Sequence, residues 1–227
     1  MKHATAVGIP KGRALALASS LLLSLLLSLL WAATFVVAVA QDRLYPLLGT
    51  MAVLVAVVSL LVAPALRRQL LLRPRVVDVA VGAGFGVVLV LATHVGFTLM
   101  SPHLPGLGAD VAILYRVAAV TPARLAVVVV IAVAEELLWR GLLLDALQQR
   151  TGPAGRVAGV DVAAVVGAAV VYGAAQAGPR SVWLVVAGVG LGTVWGLMRV
   201  RSRGLWMPIA AHLVWTLTIL GAWPLQP

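Results

Sequence analysis

The sequence predicts an all-α protein: a polytopic bundle of about seven transmembrane helices with a cytoplasmic N-terminus. Three observations carry that expectation. Hydrophobic residues fill 62% of the 227 positions and charged residues 11%, at a mean hydropathy of +1.07. A water-soluble domain could not cover so much apolar side chain with so few charges. The apolar residues fall in long runs, and a hydrocarbon core of about 30 Å takes about 20 residues of helix to cross. The runs also lack the alternating polarity and short turns of an outer-membrane barrel.

In chain order the candidate spans are residues 14–40, 47–62, 76–100, 123–147, 162–177, 182–200 and 205–223. Their direction follows from the cations between them. With the N-terminus inside, one side collects Lys2, Lys11 and Arg13, then Arg67, Arg68, Arg73 and Arg75, then Arg150 and Arg156, then Arg199, Arg201 and Arg203. The other side collects only Arg43, Arg116, Arg124 and Arg180, while Arg140 lies inside a span. Twelve against four is a positive-inside bias, which puts the C-terminus outside. The formal charge of +10 is therefore read as topology. It forms no patch with interleaved aromatics, so nucleic acid is not an expected partner. Cys is absent, which excludes disulfides, thiolate metal sites and a cysteine nucleophile.

The first run, preceded by Lys2 to Arg13 and ending in Ala38, Val39 and Ala40, has the outline of a signal peptide. It is long for an h-region, so an uncleaved first helix is expected. Residues 101–121, with Pro102, Pro105, Gly106, Gly108 and Asp110, form the longest connection, and an interfacial or re-entrant piece is expected around 111–120. Gly188, Gly192 and Gly196 recur every four residues and should let another helix of the same bundle approach closely. We expect one integral membrane domain, with residues 1–121 supplying N-terminal helices and the outer connection and 122–227 a core that carries the polar motifs.

Ionisable groups cost at least a few kcal/mol each inside a bilayer, so each needs a reason. The only two Glu residues are adjacent, Glu135 and Glu136, near the middle of the fourth run. Side-by-side carboxylates repel, a strain relieved when one of them accepts a proton. Arg140, four residues after Glu136, can pair with it on one helical face, whereas Glu135 should point about 100° away and lack that partner. One carboxylate is then structural and the other available. His212 lies in the last run with Thr216 one turn later, and Gln176 ends the fifth run after Tyr172. His94 has no partner motif and is read as structural. Asp42, Asp78, Asp110, Asp145 and Asp161 fall at helix ends or connections, where solvent or a neighbouring Arg can satisfy them.

In this order the residues resemble the CAAX protease and bacteriocin-processing family, also called Abi, which includes type II CAAX prenyl endopeptidases. The likeness covers residues 123–223. Glu135, Glu136 and Arg140, with Gly141 following, fit the first motif of two glutamates, three residues and an arginine. Tyr172 and Gln176 have the spacing of the second, an aromatic and a histidine, but Gln176 replaces the histidine. His212 fits the third, a histidine and an asparagine, but Thr216 replaces the asparagine. The resemblance implies that Glu135 is the general base, Glu136 and Arg140 its supporting pair, and His212 an oxyanion donor. Gln176 would position water, and Thr216 would offer one hydroxyl in place of an amide. Some family members are described as metalloproteases; here the set has a single imidazole and no Cys, so no cofactor or metal is predicted.

The expected function is an intramembrane endopeptidase in which a glutamate-activated water attacks a peptide carbonyl, attenuated by Gln176 and Thr216. The alternatives are an inactive family member that binds a peptide or partner protein, and a proton- or ion-coupled carrier. The bilayer and a peptide or protein substrate, lipidated or not, are the expected partners. Ala-, Val- and Arg-rich usage points to a multi-pass protein of a bacterial plasma membrane.

Overall fold

The computed structural model describes residues 11–71, 74–151, 156–157 and 160–226, with side chains over 15–70, 74–150 and 160–226. Lys2 and the side chains of Lys11, Arg13, Arg73 and Arg156 lie outside the described residues. All seven apolar runs are helical. Four helices are long and apolar enough to cross a membrane: α1 (Lys11–Ala40), α2 (Leu44–Val62), α4 (Val76–Met100) and α9 (Val182–Ser202). The 123–147 run is one continuous helix in three pieces, α6 (Leu125–Glu135), a π-helical segment (Glu136–Leu143) and α7 (Leu144–Thr151). Together with α5 (Leu107–Ala118), from which it is bent by 74°, it makes a fifth candidate.

The other two runs are shorter than expected. The first is α8 (Val162–Ala175), and the second joins α10 (Trp206–Leu217) to a π turn (Thr218–Ala222). The 14 residues of α8 rise about 21 Å, less than a hydrocarbon core of about 30 Å. Four to five helices thus meet the length test among the described residues, against seven apolar runs. Two features were not anticipated: α3 (Pro64–Leu71), which buries Leu66 and exposes Arg67 and Arg68, and a two-stranded pair, β1 (Arg156–Val157) with β2 (Val160–Asp161). The expected piece in the 101–121 connection is α5.

The long helices show lipid-facing surfaces. Leu22 and Leu29 of α1, Val53 of α2, Val88 of α4 and Val186 of α9 are each more than half exposed, where a soluble helix would carry polar side chains. Inside the bundle, glycines set the closest approaches. A Cβ on Gly192 would stand 3.0 Å from Tyr172 Cδ1 and 3.2 Å from Ala169 Cα, and one on Gly188 only 2.9 Å from Gly173 Cα. The glycine stripe therefore seats α9 against α8 within one chain, as its spacing predicted. Gly82 and Gly86 do the same between α4 and α10, where an added Cβ would meet the Met207 and Ala211 carbonyls.

α1 is part of the same core. Trp31 and Ala38 are fully buried, and Leu27 and Phe35 nearly so. Trp31 packs edge-on to Trp139 of the π segment at 5.3 Å, and Trp139 Nε1 donates to Ser28 Oγ at 3.1 Å.

Candidate functional site

Three elements converge at mid-depth. The junction of α6 with the π segment brings Glu135 and Glu136, the C-terminus of α8 brings Tyr172 and Gln176, and the second half of α10 brings His212 and Thr216. The 14-residue length of α8 has a local cause at each end. Asp161 caps its start by accepting from Ala164 N at 3.0 Å, and Gln176 closes its last turn. Ending there lets the Gln176 amide turn toward α6, where Nε2 donates to Glu135 Oε1 at 3.3 Å.

The two carboxylates do not divide as an ideal helix would divide them. His212 bridges both: Nδ1 lies 2.8 Å from Glu136 Oε1, and Nε2 lies 3.3 Å from Glu135 Oε2. The π segment widens the turn, so adjacent residues aim closer together than the 100° of an α-helix. Glu135 lacks Arg140 as a partner, as expected, and meets His212, Gln176 and the Tyr172 hydroxyl, 3.4 Å from Oε2. The resemblance implied an oxyanion donor at His212, and both of its ring nitrogens lie against carboxylates.

Arg140 pairs with Glu136 as predicted, with Nη1 3.2 Å from Oε1 and both side chains almost fully buried. The pairing is ionic and off-axis, since neither Nη atom makes a hydrogen bond. Aromatic faces supply the rest: the guanidinium stands 4.4 Å from the Tyr172 ring centroid and 5.1 Å from that of Trp195. Trp195 also stacks on His212 at 4.1 Å, which holds the imidazole plane. Two carboxylates, one guanidinium and a neutral imidazole sum to one excess negative charge. Buried charge is costly unless balanced, so one additional proton makes the cluster neutral.

Burial separates the acids. Glu136 is fully buried, while Glu135 is 7% exposed and lines a cavity of about 150 Å³ with Tyr172, Gln176, His212 and Thr216. The remaining walls are almost wholly apolar, among them Phe35, Leu48, Ile131 and Leu191. All six predicted site residues thus gather in one place. Glu135, Gln176, His212 and Thr216 face the cavity, and Glu136 and Arg140 stand behind them.

Sequence reasoning missed several supports. Arg199 is not a loop cation: it is buried, its Nε donates to the Arg140 carbonyl at 3.3 Å, and its Nη2 reaches both Asp145 oxygens at 3.1 Å. Trp195, Trp139 and Ser28 were not singled out. The one available signal was position, since Trp195 and Arg199 flank Gly196 of the stripe that faces α8. His94, left as structural, stacks on Trp223 at 3.9 Å, and Asp110 takes a bond from Ser181 Oγ.

The donor set does not fit a typical zinc site. Such a site takes two or three imidazoles, or thiolates, whereas here one imidazole has both nitrogens against carboxylates and an amide occupies the position of a second. Among the described residues no group of three or more His, Cys, Asp or Glu is arranged to hold a metal ion.

Residues 117–218 match the family model described as Type II CAAX prenyl endopeptidase Rce1-like. No curated protein and no solved structure matches the chain.

Proposed function

We propose, from the premise that residues 117–218 are of the CAAX protease family, that this membrane protein is an intramembrane endopeptidase with Glu135 as its general base. One observation carries the reading: of two adjacent buried carboxylates, only Glu135 lines a cavity, and it does so opposite His212. A water in the cavity gives a proton to Glu135 while its oxygen forms the new bond to the peptide carbonyl carbon. The Thr216 hydroxyl, on the cavity wall, faces the developing oxyanion, while His212, with a carboxylate on each ring nitrogen, orients Glu135 instead of donating to the oxyanion. The C–N bond then breaks, and the proton on Glu135 passes to the leaving amine. Gln176 and Tyr172 fix the carboxylate by donating to it, and Glu136 with Arg140 holds His212 in register. The setting is the plasma membrane of a bacterium, and the substrate is a peptide segment at membrane depth.

A second reading is favoured by Gln176 and Thr216: a family member that binds a peptide without cutting it. An amide cannot take up a proton as an imidazole can. The test uses the full chain in lipid vesicles with a panel of prenylated and unprenylated peptides, and mass spectrometry of new termini. Cleavage at defined bonds supports the peptidase. Saturable peptide binding without any new terminus supports the binding protein.

A further inference from the structure

We propose that Trp215 sets the size of the apolar side chain that the Glu135 site accepts, because its indole is the partition between that site and a second, larger cavity. The second cavity, of about 410 Å³, lies between α4, α5, α9 and α10. Leu89 and Phe97 of α4 and Ile219 of the π turn are among its walls. Two glycines keep it open, since nothing lies within 4 Å of a Cβ on Gly96 or Gly190. Five residues line both cavities: Leu114 of α5, Leu184, Ala187 and Leu191 of α9, and Trp215 of α10. Trp215 is the largest of them and the only one whose side chain can hydrogen-bond.

The indole is held from both sides. Toward the second cavity, Nε1 donates to Thr93 Oγ1 at 2.9 Å, and Thr93 in turn donates to the Leu89 carbonyl at 2.7 Å. Toward the site, the ring meets Trp195 edge-on at 6.1 Å, and Trp195 stacks on His212. The indole is thereby fixed three residues after His212 and directly before Thr216. The Glu135 cavity, of about 150 Å³, has the volume at which an apolar cavity holds a guest the size of benzene. A side chain with one ring fits there, and one with two rings in line runs into Trp215. Without the indole the two volumes join, and the longer side chain extends toward Phe97 and Gly190. The proposal rests on the reading of the Glu135 cavity as a peptide site, but it needs binding alone and no cleavage.

The test measures binding to the full chain in lipid vesicles, in the Glu135→Gln background so that nothing is cut. The probes are fluorescein-labelled peptides of alanine and leucine flanked by lysines, with one central residue varied among leucine, phenylalanine and biphenylalanine. Protein-free vesicles supply the lipid baseline. With Trp215 in place, phenylalanine binds best and biphenylalanine at least about tenfold more weakly, the scale on which a pocket discriminates between apolar groups. Trp215→Ala brings biphenylalanine level with phenylalanine or above it. Thr93→Val removes the acceptor and leaves the indole, and gives a smaller gain of the same sign. Gly190→Phe added to Trp215→Ala refills the second cavity and restores the preference for one ring. An unchanged order of the three probes in folded Trp215→Ala overturns the proposal; where that variant does not fold, the same result in Thr93→Val does. A site with Trp215 in place that binds biphenylalanine as tightly as phenylalanine overturns it too. So does a gain in Trp215→Ala that Gly190→Phe leaves untouched. Cleavage is read separately on the wild-type chain, so the peptidase reading can fail while the partition stands, and the reverse.

Discussion

Arg199 of α9 donates through Nε to the main-chain carbonyl of Arg140, 3.3 Å away in the π segment. A π segment interrupts the regular hydrogen-bond ladder, and this side chain bonds one of its carbonyls while its other nitrogen holds Asp145. Arg199→Ala removes both, and leaves a buried acceptor without a partner. We predict a loss of about 2 kcal/mol of stability, read as a lowered thermal midpoint in detergent, with a smaller loss for Arg199→Lys, which keeps the charge without the planar fork. An unchanged midpoint for the Ala variant contradicts this role.

Arg199 also marks where reading the sequence stops. Helix content, the Glu136–Arg140 pair and the close α8–α9 approach were legible because each depends on spacing within one or two segments, while Glu135, Gln176, His212 and Thr216 were grouped by the resemblance. The π segment was not. Its widened turn depends on Arg199, Trp195 and α1, which meet it only after folding, so the relative aim of Glu135 and Glu136 could not be read from a period of 3.6. The fifth run was drawn to Ala177, whereas the helix ends at Ala175 with Gln176 as its cap.

The glycine stripe positions the site as well as packing the bundle. A Cβ on Gly188 would lie 2.9 Å from Gly173 Cα and 3.3 Å from Gln176 Cγ. Gly188→Ala should cost about 1 to 3 kcal/mol through overpacking and displace the Gln176 amide from Glu135. Nothing lies within 4 Å of a Cβ on Gly190, so Gly190→Ala should match the wild type. Equal thermal midpoints for the two variants would contradict the close approach.

α1 belongs to the mature protein on this account. Cleavage after Ala40 would strip Trp31 and Ser28 from Trp139, and Phe35 from the cavity wall. Mass spectrometry of the purified chain should find α1 present, and Trp31→Ala should cost about 3 to 5 kcal/mol as a buried indole lost from a packed core. A purified active form that begins after Ala40 would contradict it.

Gln176→His restores a group that can move a proton beside Glu135 Oε1. If the amide attenuates the reaction, hydrolysis should rise by about tenfold or more, since a positioned acid or base contributes about 100-fold or more. Thr216→Asn should add to that gain by supplying a firmer donor. No gain in either variant, with peptide binding retained, favours the binding protein.

The central claim is that Glu135 acts on water while Glu136 only supports it. The most direct measurement is the initial rate of peptide cleavage in vesicles for the wild type and Glu135→Gln, with thermal midpoints measured alongside. The account predicts a loss of at least about 100-fold in rate with the midpoint nearly unchanged, because Gln preserves the shape that Gln176 and Tyr172 bond. Cleavage at the wild-type rate by Glu135→Gln would contradict it.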